Sequence, residues 1–155
     1  LTNSTFPKDK WIIKDIGLSE RTVEKKLYMN ALSDKESIAL TLFDLSNSYE
    51  SQFGMDSLYL TMVETALRHF PNCVALLMSK ANYYAEKENN EQLKSNPKVT
   101  YIKELQLKQT AINNKIYELG HEEMPLKLYK KWMKYIEKEK TKEDKKKMKK
   151  AKKNN

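Results

Sequence analysis

Glycine is scarce in this chain, with three residues in 155, and neither an Asn-Gly nor an Asp-Gly pair occurs. A sheet protein of this size turns often, and its tight hairpins draw on glycine or on those pairs. The scarcity excludes a sheet-built fold. A single cysteine, Cys73, excludes an internal disulfide and is compatible with a reducing compartment. No apolar run approaches the ~18 residues that a membrane helix needs. There is no glycine-rich phosphate loop. The two histidines, His69 and His121, stand far apart with no HExxH or comparable ligand spacing.

What the chain does hold is helix-forming material. Leu, Lys, Glu and Met are abundant, and each keeps its rotamer freedom in a helix. The expectation is an all-α protein. Charge is unevenly placed. Residues 126–155 carry 14 lysines against 4 acidic residues, whereas residues 1–125 carry 15 basic and 17 acidic residues. The net charge of +8 therefore comes from the C-terminal stretch, and the body is close to neutral. Overall basicity is thus no argument that the body binds nucleic acid. The chain opens on Leu1, which reads as a fragment or processed product and leaves an upstream signal peptide or domain open. Asn3-Ser4-Thr5 fits the glycosylation sequon, a triplet common by chance.

Residues 1–18 read as an irregular N-terminal segment in which Trp11, Ile12, Ile13 and Ile16 form a short apolar patch ending at Gly17. Ser19 is placed to cap a helix reaching about Met29, with Val23, Leu27 and Tyr28 inward. Ser33 or Asp34 caps the next helix, whose Ile38, Leu42, Leu45 and Tyr49 recur at the amphipathic period, up to Gly54. Asp56 or Ser57 starts another, striped by Leu60, Val63, Leu67 and Phe70 and stopped by Pro71. A helix from about Cys73 to Lys87 carries Leu77, Ala81 and Tyr84. Residues 88–97 are polar, end in Asn96-Pro97 and read as a loop. From Val99 to Leu119 the stripe is Ile102, Leu105, Ile112, Ile116 and Leu119, with Gly120 as the left-handed cap and His121 exposed beyond it. Pro125 suits the first turn of a last helix bearing Tyr129, Trp132, Met133 and Ile136. Residues 19–137 then form the helical domain. Residues 138–155 form a lysine-rich tail, read as a frayed helix or a disordered segment.

Residues 38–87 resemble the tetratricopeptide repeat (TPR) family, whose units of about 34 residues are helix-turn-helix pairs. The run Ala66-Leu67-Arg68-His69-Phe70-Pro71 is similar to the end of a second helix of that family. Leu77, Ala81 and Tyr84 fall on the large, small and aromatic slots of a first helix, and Leu42, Leu45, Ser46 and Tyr49 fit the preceding one. Roughly one and a half units are covered. Tyr59 departs from the pattern by standing where a small residue is usual, the turn glycine of the second unit is missing, and the loop and helix that follow are long. The resemblance implies an antiparallel array of hairpins and a concave ligand face made by first helices. That face would present Leu40, Phe43, Asn47 and Glu50 from one helix and Met78, Asn82 and Glu86 from the next. Asn47 and Asn82 occupy matching places, suited to a peptide backbone. Phe43 and Met78 stand where the carboxylate-clamp subtype has lysines, which disfavours a receptor for chaperone tails. Tyr84 matches the core ladder, and its neighbour Tyr83 is left for a surface or groove.

A second pattern lies in residues 12–27, which resemble the helix-turn-helix of bacterial regulators through Gly17-Leu18-Ser19 and Thr22-Val23. Such a pair needs supporting helices and clustered phosphate-binding cations, and here only irregular residues precede it in a neutral body. The simpler reading is a helical turn packed on the repeats. Acidic residues scattered among lysines point to solvated helix faces and not to a catalytic constellation. The expectation is therefore a non-enzymatic scaffold for a protein or peptide partner, with no cofactor and no metal. Its binding residues would be Phe43, Asn47, Glu50, Met78, Asn82 and Glu86. The alternative is nucleic-acid binding through residues 12–27 or the basic tail.

Residues 138–155 hold almost no apolar area to bury. Deleting them should leave the thermal unfolding midpoint of the protein nearly unchanged. A large drop in that midpoint would mean that the tail is docked.

Overall fold

The computed structural model describes residues 13, 18, 20–25, 27, 28 and 30–153, with only the backbone at 20, 139 and 143–153. Among the described residues there are helices and no strands. They are α1 (Glu20–Glu24), α2 (Asp34–Phe53), α3 (Ser57–His69), α4 (Val74–Gln92), α5 (Val99–Glu118) and α6 (Leu126–Lys153). Residues Glu20–Glu122 make one compact unit, and α6 falls in the other. Trp11, Ile12, Ile16, Gly17 and Ser19, and with them part of the helix-turn-helix-like stretch 12–27, lie outside the described residues.

Local chemistry sets the helix ends. Ser33 opens α2 with a capping box: the Glu36 amide donates to Ser33 Oγ at 3.3 Å, and the Ser33 amide donates to Glu36 Oε2 at 2.8 Å. Gly54, at φ 78°, closes the same helix with its amide donating to the Glu50 carbonyl. Asp56 then caps α3, one carboxylate oxygen accepting from the amides of Leu58 and Tyr59 at 2.9 Å each. Its other oxygen accepts from the Tyr49 hydroxyl at 2.7 Å, tying the end of α2 to the start of α3. The amides of Tyr59 and Leu58 and the Tyr49 hydroxyl together hold the Asp56 carboxyl below its ordinary range.

Helices α2 and α3, α3 and α4, and α4 and α5 pack side by side. Short connections between laterally packed neighbours make each pair antiparallel. One apolar cluster gathers Ala39, Tyr59, Val63, Ala66, Cys73 and Leu76, with Leu42, Phe43 and Tyr49 against it. A second gathers Val74, Leu77 and Ile116, with Leu27, Ile112 and Leu119 against it. Leu67 packs on both. Burying a side chain such as Val63 or Leu76 contributes about 1.5–3 kcal/mol.

The register of α2 corrects the sequence reading. Leu45 is 57% exposed and Ile38 is also in solvent, while Ala39 and Ser46, one position further along, are buried. Close approach of α2 to its neighbours selects the small residues, and Ser46 meets its polarity locally by donating to the Phe43 carbonyl at 2.7 Å. The loop reading of 88–97 is corrected as well, since α4 continues to Gln92. Its last turn is held from α5. Gln106 Nε2 donates to Glu88 Oε1 at 2.6 Å and Gln109 Nε2 to Glu88 Oε2 at 2.8 Å. The buried Glu91 accepts from Lys94 Nζ and from the Lys98 amide, which hold its carboxyl below the ordinary glutamate value.

The far end of α5 is closed by the first helix. Lys25 Nζ donates to the Glu118 carbonyl at 2.7 Å, and buried Thr22 donates to the Gly120 carbonyl at 3.2 Å. Gly120 is left-handed, at φ 89°, as its cap role requires, and a Cβ there would meet Lys25 Cδ at 2.8 Å. His121 is half-buried and not free, because its Nδ1 lies 2.9 Å from the Tyr28 hydroxyl. The last helix begins after Pro125, whose carbonyl accepts from the amides of Leu128 and Tyr129. It stays helical through the lysine-rich stretch.

Ala66 is fully buried between helices, whereas Ala81 is only half-buried. Ala66→Leu should destabilise the fold by roughly 1–3 kcal/mol through overpacking, with a smaller loss for Ala81→Leu. Denaturant unfolding of the two variants checks the order. Equal, negligible losses would mean that Ala66 is not at a tight contact.

Candidate functional site

The residues picked out on the first helices of the two hairpins meet different fates. Phe43 is half-buried, its ring packed on the first apolar cluster. It is part of the core margin before it is part of any surface. Asn47 and Asn82 are exposed. Neither carboxamide is engaged by another group among the described residues. Met78 is 42% exposed, one turn before Asn82 on α4.

Glu50 and Glu86 are half-buried and face a group that sequence reasoning had treated as a misfit, Tyr59. Tyr59 is 1% exposed at the first turn of α3. Burial pushes its phenol above the ordinary tyrosine value, and the charges of Glu50 and Glu86 push the same way. Hydrogen bonding with Glu50 adds to the rise, while hydrogen bonding with Ser79 opposes it. One hydroxyl thus brings together α2, through Glu50, and α4, through Ser79 and Glu86.

Around it the aromatic residues are shared out differently from the sequence reading. Tyr83, expected at a surface or groove, is half-buried and stacks on Tyr59 with ring centroids 6.5 Å apart and planes at 21°. Lys87 lies over the Tyr83 ring, 5.1 Å from its centre, and donates to the Met55 carbonyl at 2.6 Å. Tyr84 is buried as expected, edge-on to Tyr83. The physical signal for Tyr83 was its spacing of four from Ser79 and Lys87, which puts all three along one strip of α4.

Among the described residues, Asn47, Met78 and Asn82 are thus exposed, and Glu50 and Glu86 lie beside the buried Tyr59 phenol. No group of three or more His, Cys, Asp and Glu side chains is placed to hold a metal among the described residues. A separate cleft of about 460 Å³ opens beside Tyr28, Leu32, Leu40, Phe70 and Cys73. Comparison with protein-family models, curated proteins and solved structures returns no match.

The raised Tyr59 pKa has a definite sign. Its contribution to stability is complete below the unfolded-state value near 10 and is lost as pH rises through the higher folded-state value. Tyr59→Phe should therefore flatten the alkaline side of the stability–pH profile. At neutral pH it should cost about 1–2 kcal/mol, because Ser79 and Glu50 lose a partner. Thermal unfolding between neutral and strongly alkaline pH checks this, and an unchanged alkaline limb would rule out a buried Tyr59 hydroxyl.

Proposed function

We propose that the unit Glu20–Glu122 is a non-enzymatic, TPR-like interaction module that binds an extended segment of a protein partner across α2 and α4. The observation that carries this reading is the pair Asn47 and Asn82. Both are exposed and unengaged among the described residues, at matching places on the first helices of successive hairpins. A carboxamide offers both a donor and an acceptor, which is what an extended backbone presents in return. Met78 adds an adaptable apolar contact beside Asn82. Glu50 and Glu86 bias the surface toward basic or neutral segments. The packing beneath is independent of the ligand, since Phe43 and Tyr59 anchor α2 and α3 from the inside. Binding therefore calls for little rearrangement of the helices. No cofactor or metal enters this reading.

Selection of a random peptide library on the purified protein tests it. Enriched peptides should bind in a manner only mildly sensitive to salt. The double variant Asn47→Ala/Asn82→Ala should bind them about tenfold or more weakly, a loss of ~1.4 kcal/mol or more, while unfolding at the same temperature. Peptides that bind this variant as well as the parent would place recognition elsewhere, and failure to enrich any peptide would reject the module.

A further inference from the structure

Helix α6 (Leu126–Lys153) has a use that the peptide surface does not account for. Over its first three turns the 3.6-residue period puts Leu128, Tyr129, Trp132, Met133 and Ile136 on one side. The same period puts Lys127, Lys130, Lys131, Lys134 and Lys138 on the opposite side. The apolar side is open in part: Trp132 is 46% exposed and Tyr129 and Ile136 are exposed with it, while Leu128 and Met133 are half-buried. The rings of Tyr129 and Trp132 lie 6.5 Å apart, so the stripe presents a contiguous aromatic patch. Beyond Ile136 about half of the residues are lysine, and residues 126–155 carry 14 lysines against 4 acidic residues.

Two needs have to be met at once by whatever covers such a helix: a negative surface for the lysines and an apolar medium for the stripe. A nucleic acid meets the first and offers little to Met133 or Ile136. A bilayer containing anionic phospholipid meets both, because headgroup phosphates lie above the acyl boundary within reach of one amphipathic helix. Tryptophan and tyrosine favour that boundary, and lysine stems reach outward from it to the headgroups. No described helix is long and apolar enough to cross a membrane, so the contact is one of lying on the surface.

We propose that α6 is a peripheral membrane anchor, lying flat on an anionic phospholipid surface with the Leu128-to-Ile136 stripe sunk to the headgroup–acyl boundary. The lysines opposite and beyond give the anchor its selectivity for anionic lipid. The stripe gives it a grip that salt weakens only in part. The anchor and the peptide surface of α2 and α4 use different residues, so either stands without the other.

The test uses the full chain and vesicles of phosphatidylcholine, alone or with about 30% phosphatidylserine, in about 0.15 M salt. The protein should co-sediment with the phosphatidylserine vesicles at least ~10-fold more tightly than with phosphatidylcholine alone. The stripe variant Trp132→Ser/Ile136→Ser and the charge variant Lys130→Glu/Lys134→Glu should each lose roughly tenfold or more on the anionic vesicles. On a DNA duplex, only the charge variant should lose affinity. In a Trp11→Phe protein, brominated lipid should quench the remaining Trp132 fluorescence. That reading uses a native α6 and stays decisive if a double variant fails to fold. The proposal is overturned if the stripe variant binds anionic vesicles like the parent, if the duplex is bound more tightly than the vesicles, or if Trp132 is not quenched. It is equally overturned if the stripe is covered by a second copy of the chain, seen as a dimer that excludes vesicle binding.

Discussion

A phenol hydroxyl buried among three helices must find its hydrogen-bond partners within the protein, or its burial costs more than its ring contributes. Tyr59 is that group. It belongs to α3, and the groups acting on its hydroxyl come from α2 at Glu50 and from α4 at Ser79 and Glu86. Its ring stacks on Tyr83, which carries Lys87, which in turn reaches back to the Met55 carbonyl in the turn between α2 and α3. A slip of one helix along another would strand a polar atom or open the stack. Tyr59 thus helps to fix the relative placement of the first three long helices, together with the apolar cluster around Val63, Ala66 and Leu76. No described buried side-chain oxygen or nitrogen is left unpartnered.

The later helices are joined by a different device. Where α4 and α5 run together, Glu88 and Glu91 at the end of α4 accept from Gln106, Gln109 and the Lys98 amide. At the other end of α5, Lys25 and Thr22 satisfy carbonyls that the helix terminus leaves open. The N-terminal residues of the unit thus close its last helix, and Leu27 fills the second apolar cluster beside Ile116. This closure occupies the ends of the array and leaves the sides of α2 and α4 with Asn47, Met78 and Asn82 in solvent. The proposed binding surface is where the body has no internal use for those groups.

Much of the helix plan was legible before any coordinates. Ser33 with Glu36, Asp56, Pro71 and Gly120 are local devices, each acting through its own backbone or residues three positions away, so they read directly. The buried faces were less legible. Periodicity weights large apolar residues, so it chose Ile38 and Leu45. Packing chose Ala39 and Ser46 because a close helix approach admits only small side chains. Residues 88–92 look like a loop by polarity, and they are helical because α5 supplies amide donors to Glu88. Of the six candidate partner-binding residues, Asn47, Met78 and Asn82 are exposed, Phe43 leans into the core, and Glu50 and Glu86 turn toward Tyr59.

By itself the sequence determined an all-helical chain, where most of its helices start and stop, and a C-terminal helix with lysines opposite an aromatic stripe. These follow from interactions a few residues apart, which travel with the chain whatever it packs against. Only the tertiary structure decided that Tyr59 is a buried core residue and not a misfit, that Tyr83 is stacked on it, and that His121 is tied to Tyr28. Those outcomes depend on pairs as far as 93 residues apart in the chain. Whether such a pair forms is settled by which small side chains let the helices between them approach, and no local pattern carries that information.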